Sequence, residues 1–248
     1  MTYSTGPYSS RPDRSRGQTG PANFGPSGGP LQPAGGAGMR KPQTNRGDSV
    51  NYTRAGRLRT GLVFAIGYLV VLWGIHIVNY VIFGGSLSYY GIHPLDFNGI
   101  WGIVTAPLLH DDWEHLIGNS LPGAVFCFLI GLSGRKAWWE VTLLVVLIGG
   151  LGTWLLGGPG TNHIGASSLV YGWLAYLLVR GIFNRSLIQI VLGVVLGVAY
   201  SGLVWGVLPI YEGVSWQGHL FGAIGGIVAG MTITSDDTSK QIMRRSVK

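Results

Sequence analysis

Apolar residues gather into six runs in the last three-quarters of the chain. The first, 60–83, holds 24 residues without a formal charge, enough for a helix to cross a hydrocarbon layer about 30 Å thick. The other five runs are 113–132, 141–157, 167–179, 187–208 and 218–233. None shows the alternation of apolar and polar residues that is typical of membrane β-barrel strands. The other structure that satisfies all backbone hydrogen bonds in lipid is the α-helix. The pattern predicts an all-α polytopic membrane protein with six transmembrane helices.

The residues before the first run differ sharply from those after it. Positions 1–50 contain 10 Gly and 7 Pro with few apolar side chains. Such a segment buries too little apolar area to offset the entropy of ordering its backbone. We therefore predict three parts: a disordered, Arg-rich cytoplasmic tail over 1–57, a six-helix membrane domain over 58–234, and a short basic cytoplasmic tail over 235–248.

Composition supports this division. Charged residues make up 11% of the chain, whereas soluble globular domains carry about 25%. So little charge cannot cover a water-facing surface, which excludes an ordinary soluble domain. The single cysteine, Cys127, excludes an intrachain disulfide framework and a cysteine-based metal site.

The placement of charge gives the predicted helices a direction. The net charge of +7 could indicate a nucleic-acid partner, but all 17 Lys and Arg lie before run one, between runs two and three, between runs four and five, or after run six. The other three loops contain none. Basic residues collect on the cytoplasmic side of membrane proteins. The sequence therefore predicts a multi-pass protein of a lipid bilayer with both termini in the cytoplasm, and no nucleic-acid partner.

Four polar residues recur at one level of the predicted bundle. His115 and Asn119 lie near the outer end of the second run, while Ser167 and His219 begin the fourth and sixth. These three runs share one direction, so the four side chains are predicted at similar depth below the outer surface. Ionisable groups at such depth are costly and usually mark function.

The residue types suit acyl transfer. Ser167 needs a base to take its proton, and His219 is the candidate. His115 and Asn119, spaced i,i+4, share a helix face and can donate to an oxyanion together with the Ser167 backbone N–H. No carboxylate neighbours His219 in sequence, so a dyad is predicted. Neither an HExxH motif nor a carboxylate or thiol cluster accompanies the six histidines, so no metal and no cofactor is predicted.

Two plainer interpretations stay open on the residues alone. Ser167 and His219 could simply be hydrogen-bond partners between helices, and Ser168 is a competing nucleophile. His76, in the middle of the first run, is expected to be a packed, hydrogen-bonded histidine. His163, just before Ser167, is expected to be structural or solvated, with a role beside the substrate as the alternative.

Three motifs in this order resemble the rhomboid family of intramembrane serine proteases. They are His115-x-x-x-Asn119, Gly165-Ala166-Ser167-Ser168 and Gly218-His219-x-x-Gly222. The resemblance implies a six-helix bundle with the nucleophile at the start of the fourth helix and the base on the sixth.

Further positions match the family pattern. The resemblance implies that His110 opens the second helix in a structural role, that Tyr171 packs on His219, and that Gly222 lets helices four and six approach. Two positions depart from the pattern: Ser168 replaces a usual Gly, and Gly102 replaces the Arg that usually follows the loop tryptophan, here Trp101.

The expected function is an intramembrane serine endopeptidase that cleaves transmembrane or juxtamembrane segments of membrane proteins in a bacterial plasma membrane. The alternative is a catalytically inactive rhomboid-like protein that binds and routes membrane clients. A small transporter or channel is a further rival, but the repeated halves and mid-membrane charges typical of that class are not visible. The sequence leaves the substrate and the oligomeric state open.

Overall fold

Six helices longer than ten residues dominate the computed structural model, which describes residues 54–233. Within that range there is no β-strand, only an isolated antiparallel bridge between Ile92 and His163. The helices are α1 (Arg54–Phe83), α2 (Trp113–Gly131), α3 (Arg135–Leu156), α4 (Ser167–Phe183), α5 (Leu187–Ala199) and α6 (Trp216–Thr232).

The helices agree with the predicted runs in order and differ at their ends. Because α1 begins at Arg54, the last four residues of the tail predicted over 1–57 are helical; the rest of that tail and the tail predicted over 235–248 lie outside the described residues. Two helices, α1 and α3, are long and apolar enough to cross a membrane, and α5 joined to the segment after it would make a third. Residues 54–233 are therefore all-helical, with the apolar helices of an integral membrane protein, while the count of six spans stays a prediction.

The sequence predicted one continuous helix over the fifth run, but the structure shows a break in it. α5 ends at Ala199, and Ser201–Val207 forms a 3-10 helix bent away by 71°. Ser201 and Gly202 follow the break, and residues of these types favour an interruption of a helix. The Tyr200 ring packs edge-on against Phe126 with centroids 4.8 Å apart, which fixes the position of the bend. We name Ser201–Val207 the bent segment.

The start of α2 is set by a side-chain cap. Asp112 accepts a hydrogen bond of 2.7 Å from the His115 backbone N–H, a typical N-cap arrangement. The helix therefore begins at Trp113, and His110 lies in the preceding loop instead of opening the helix. The expectation that His110 opens this helix is therefore wrong, because the helix begins three residues later.

The centre of the bundle is α4, which packs closely against α6. Trp173 and Tyr176 of α4 are fully buried. On α6, a β-carbon at Gly222 would overlap the Ser168 carbonyl, and the same applies between Gly226 and Gly172. The absence of side chains thus brings the two backbones into contact, which places the N-terminal ends of α4 and α6 side by side.

Candidate active site

Ser167 and His219 meet where α4 and α6 begin. Ser167 is the first residue of α4, and His219 lies in the first turn of α6 after the capping residue Ser215. The His219 Nε2 atom is 2.8 Å from the Ser167 Oγ atom. The two side chains predicted to form a nucleophile and base are therefore within hydrogen-bond distance.

A backbone carbonyl fixes the tautomer of His219. The Nδ1 atom of His219 is 2.8 Å from the carbonyl oxygen of Gly206, in the bent segment. A carbonyl only accepts, so Nδ1 carries the proton and Nε2 is left to accept from the Ser167 hydroxyl. Tyr171 stacks on the face of the imidazole, with ring centroids 4.1 Å apart and an interplanar angle of 10°. This is the contact that the resemblance implied. Among the described residues, no carboxylate bonds to His219.

Gly206 is a site residue that sequence reasoning missed. A β-carbon there would overlap the Tyr171 hydroxyl and lie 3.0 Å from His219 Nδ1, so the close approach of the carbonyl requires glycine. The only signal in the sequence is a cluster of small residues, Ser201, Gly202 and Gly206, inside an apolar run.

His115 and Asn119 converge on the turn that precedes Ser167. Gly165 adopts φ +112°, and a β-carbon on it would lie 2.5 Å from His115 Nε2 and 3.7 Å from Asn119 Nδ2. The first-turn N–H groups of α4 have no intrahelical acceptor. The turn therefore has two side-chain donors and a helix N-terminus around it, which is the composition of an oxyanion hole.

His110 connects α2 to the same turn. Its Nε2 atom lies 3.2 Å from Asn119 Nδ2 and 3.4 Å from the Ala166 backbone nitrogen, and the side chain is 1% exposed. Burial, with smaller contributions from the neighbouring His115 and His76, lowers the pKa of His110 to about 3, so the ring is neutral at physiological pH. Its structural role stays a prediction.

Ser168 faces a small cleft beside the nucleophile instead of the base. The cleft is lined by Ser167, Ser168, Thr153 and the glycines of α3 and α6. Of these two serines, Ser167 alone hydrogen-bonds to the His219 side chain within the described part of the chain. The geometry therefore favours Ser167 over Ser168 as the partner of the histidine.

His163 ties the α3–α4 loop to the start of α6. Its Nδ1 atom is 2.7 Å from Ser215 Oγ and its Nε2 atom 3.0 Å from the Gly157 carbonyl oxygen. Burial lowers the pKa of His163, and the Gly157 bond opposes that shift.

Across residues 54–233, no group of three or more His, Cys, Asp or Glu side chains could hold a metal ion.

The family match and one named relative point to the same family. Residues 98–236 match the family described as the Rhomboid domain. An uncharacterized protein of Mycobacterium tuberculosis is 37% identical over 231 residues, covering 84% of this chain and 96% of its own. An uncharacterized protein of Mycobacterium leprae is 37% identical over 222 residues, 86% of this chain and 88% of its own. A Bacillus subtilis protein named "putative rhomboid protease" is 27% identical over 138 residues, 52% of this chain and 64% of its own.

Proposed function

This chain belongs to the rhomboid family, and we propose that it is an intramembrane serine endopeptidase acting on transmembrane or juxtamembrane segments of membrane proteins. The observation that carries the proposal is the ordered contact of three groups: Ser167 Oγ on His219 Nε2 at 2.8 Å, and His219 Nδ1 on the Gly206 carbonyl oxygen at 2.8 Å. A merely structural serine–histidine contact does not require the ring to be stacked and held at both nitrogens.

The reaction follows from that arrangement. Ser167 Oγ attacks a peptide carbonyl carbon while His219 Nε2 takes the hydroxyl proton, and the Gly206 carbonyl stabilises the imidazolium that forms. His115, Asn119 and the Ser167 N–H stabilise the tetrahedral oxyanion. His219 then gives its proton to the leaving amine, and water hydrolyses the acyl-enzyme.

The membrane arrangement belongs to the same proposal. All six helices, α5 together with the bent segment, cross the bilayer of a bacterial plasma membrane, with both termini and the tails 1–57 and 235–248 in the cytoplasm. The site then lies at the outer ends of α2, α4 and α6. The partners are transmembrane substrates, and each must unwind locally because a helical peptide carbonyl is engaged in the i to i+4 ladder. Segments rich in Gly or Pro near the outer face are favoured.

The test is cleavage of a transmembrane reporter by purified protein in lipid vesicles. Ser167→Ala and His219→Ala should abolish cleavage, whereas Ser168→Ala should retain it. Loss of cleavage in Ser168→Ala alone would move the nucleophile by one residue. A fluorophosphonate probe separates the alternative of an inactive client-binding protein, because that alternative forms no covalent adduct on Ser167.

A further inference from the structure

Two buried polar residues stand out on α1, a helix whose other faces carry exposed apolar side chains. His76 and Asn79 are each 3% exposed and lie one turn apart. The Asn79 amide donates to Ser88 Oγ at 3.1 Å, and Ser88 Oγ donates to the His110 carbonyl oxygen at 3.2 Å. Asn79 thus supports the backbone of the loop histidine beside the site. The ring of that histidine faces His76.

The tautomer of His110 is determined by its surroundings. The Ala166 backbone N–H points at Nε2 and can only donate, so Nε2 is an acceptor and Nδ1 carries the proton. Within the described residues, that Nδ1–H is buried and has no hydrogen-bond partner. A buried donor left in this state costs about 1–3 kcal/mol.

The ring nitrogens of His76 also lack hydrogen-bond partners among the described residues. Both nitrogens are buried, and none of those residues provides the hydrogen bond expected for this histidine. The ring packs edge-on against Trp113 at 4.5 Å, and its centroid is 6.4 Å from that of His110. A neutral imidazole always has one acceptor nitrogen, and the two rings are too far apart for a direct bond.

We propose that one buried water molecule bridges His110 Nδ1–H and a ring nitrogen of His76, and that His76 is thereby a positioning residue for the oxyanion donors. The water accepts from His110 and donates to His76, which satisfies two orphaned groups at once. Pinned in this tautomer, His110 keeps Nε2 as an acceptor for the Asn119 amide and the Ala166 N–H. The opposite tautomer would place an N–H against both donors and release Asn119.

The tautomer can be measured without substrate. In full-length protein with 15N-labelled histidine in lipid nanodiscs, two-bond 1H–15N correlations distinguish Nδ1–H from Nε2–H rings, and His110→Gln assigns the His110 signals. We expect the Nδ1–H form in the unmodified protein and in His76→Gln, which keeps an acceptor. His76→Phe should shift His110 toward a mixture. An Nε2–H ring in the unmodified protein, or no change in His76→Phe, overturns the proposal.

The kinetic consequence rests on the proposed function. With the transmembrane reporter, His76→Phe should lower kcat about tenfold, the equivalent of one hydrogen bond, with KM unchanged, and His76→Gln should recover most of it. Ile77→Phe, at an exposed neighbour on α1, is the control and should leave kcat unchanged. If the tautomer shifts as expected but Ser167→Ala still cleaves, the proposed function fails while the bridge stands. If Ser167→Ala is inactive and His76→Phe keeps full kcat, only the positioning role fails.

Discussion

The substitution Gly206→Ala should disturb the contacts that hold the His219 ring in place. The added β-carbon of Gly206→Ala overlaps the Tyr171 hydroxyl and lies 3.0 Å from His219 Nδ1, so either Tyr171 leaves its stack or the carbonyl retreats. If Tyr171 moves, the ring loses its stacking partner; if the carbonyl retreats, the imidazolium formed during the reaction loses a hydrogen bond to a charged group, about 1.5–3 kcal/mol. Converted to a rate, this is about a ten- to hundredfold loss of kcat, with KM little changed.

The bent segment provides its own control. A β-carbon at Gly202 would meet nothing within 4 Å, so Gly202→Ala in the same vesicle assay should keep the kcat of the unmodified protein. Adding Tyr171→Phe to Gly206→Ala removes the hydroxyl that the methyl group strikes and should restore part of the rate. Equal losses in Gly202→Ala and Gly206→Ala, or a Gly206→Ala enzyme within about twofold of the original, would refute the reasoning.

Three other predictions concern the turn, the helix contact and pH. Gly165→Ala should abolish cleavage, because φ +112° disfavours a side chain and the methyl group would lie 2.5 Å from the His115 ring; normal activity would contradict this. Gly222→Ala should lower the midpoint of thermal unfolding by several degrees by separating α6 from α4, whereas Gly118→Ala, with open space around it, should not. His110 keeps a folded-state pKa of about 3 against its ordinary 6.5, so below pH 6.5 the unfolded state binds more protons. Stability should therefore fall as pH drops from 6.5 toward 3, by up to about 1.4 kcal/mol per pH unit from this group. Calorimetry should show a shallower fall in His110→Gln.

The helices were predictable because apolar runs of membrane length carry a strong signal. The grouping of Ser167 with His219 followed from the alternating direction of successive helices, and that of His115 with Asn119 followed from their i,i+4 spacing on one helix. The contact of Gly222 with α4 was also expected from the resemblance, and small residues favour the close approach of helices. These features depend on local composition and on order along the chain.

Other features depend on contacts that no local pattern contains. The run 187–208 is predominantly apolar, so its periodicity gave no reason to place a 71° bend inside it or to expect a carbonyl of that run beside His219. The contact of His163 with Ser215 and the facing rings of His76 and His110 join residues far apart in sequence. Hydropathy could rank these histidines as unusual but could not assign their partners.

Gly206 belongs neither to the helix that carries Ser167 nor to the helix that carries His219. If the bent segment swings outward, its carbonyl leaves Nδ1, the imidazole is free to rotate, and the serine loses its base. An outward position of the bent segment and a Ser167 activated by His219 are then mutually exclusive. We expect an enzyme held open, for instance by a bulky crosslink behind the bent segment, to admit a peptide without cutting it.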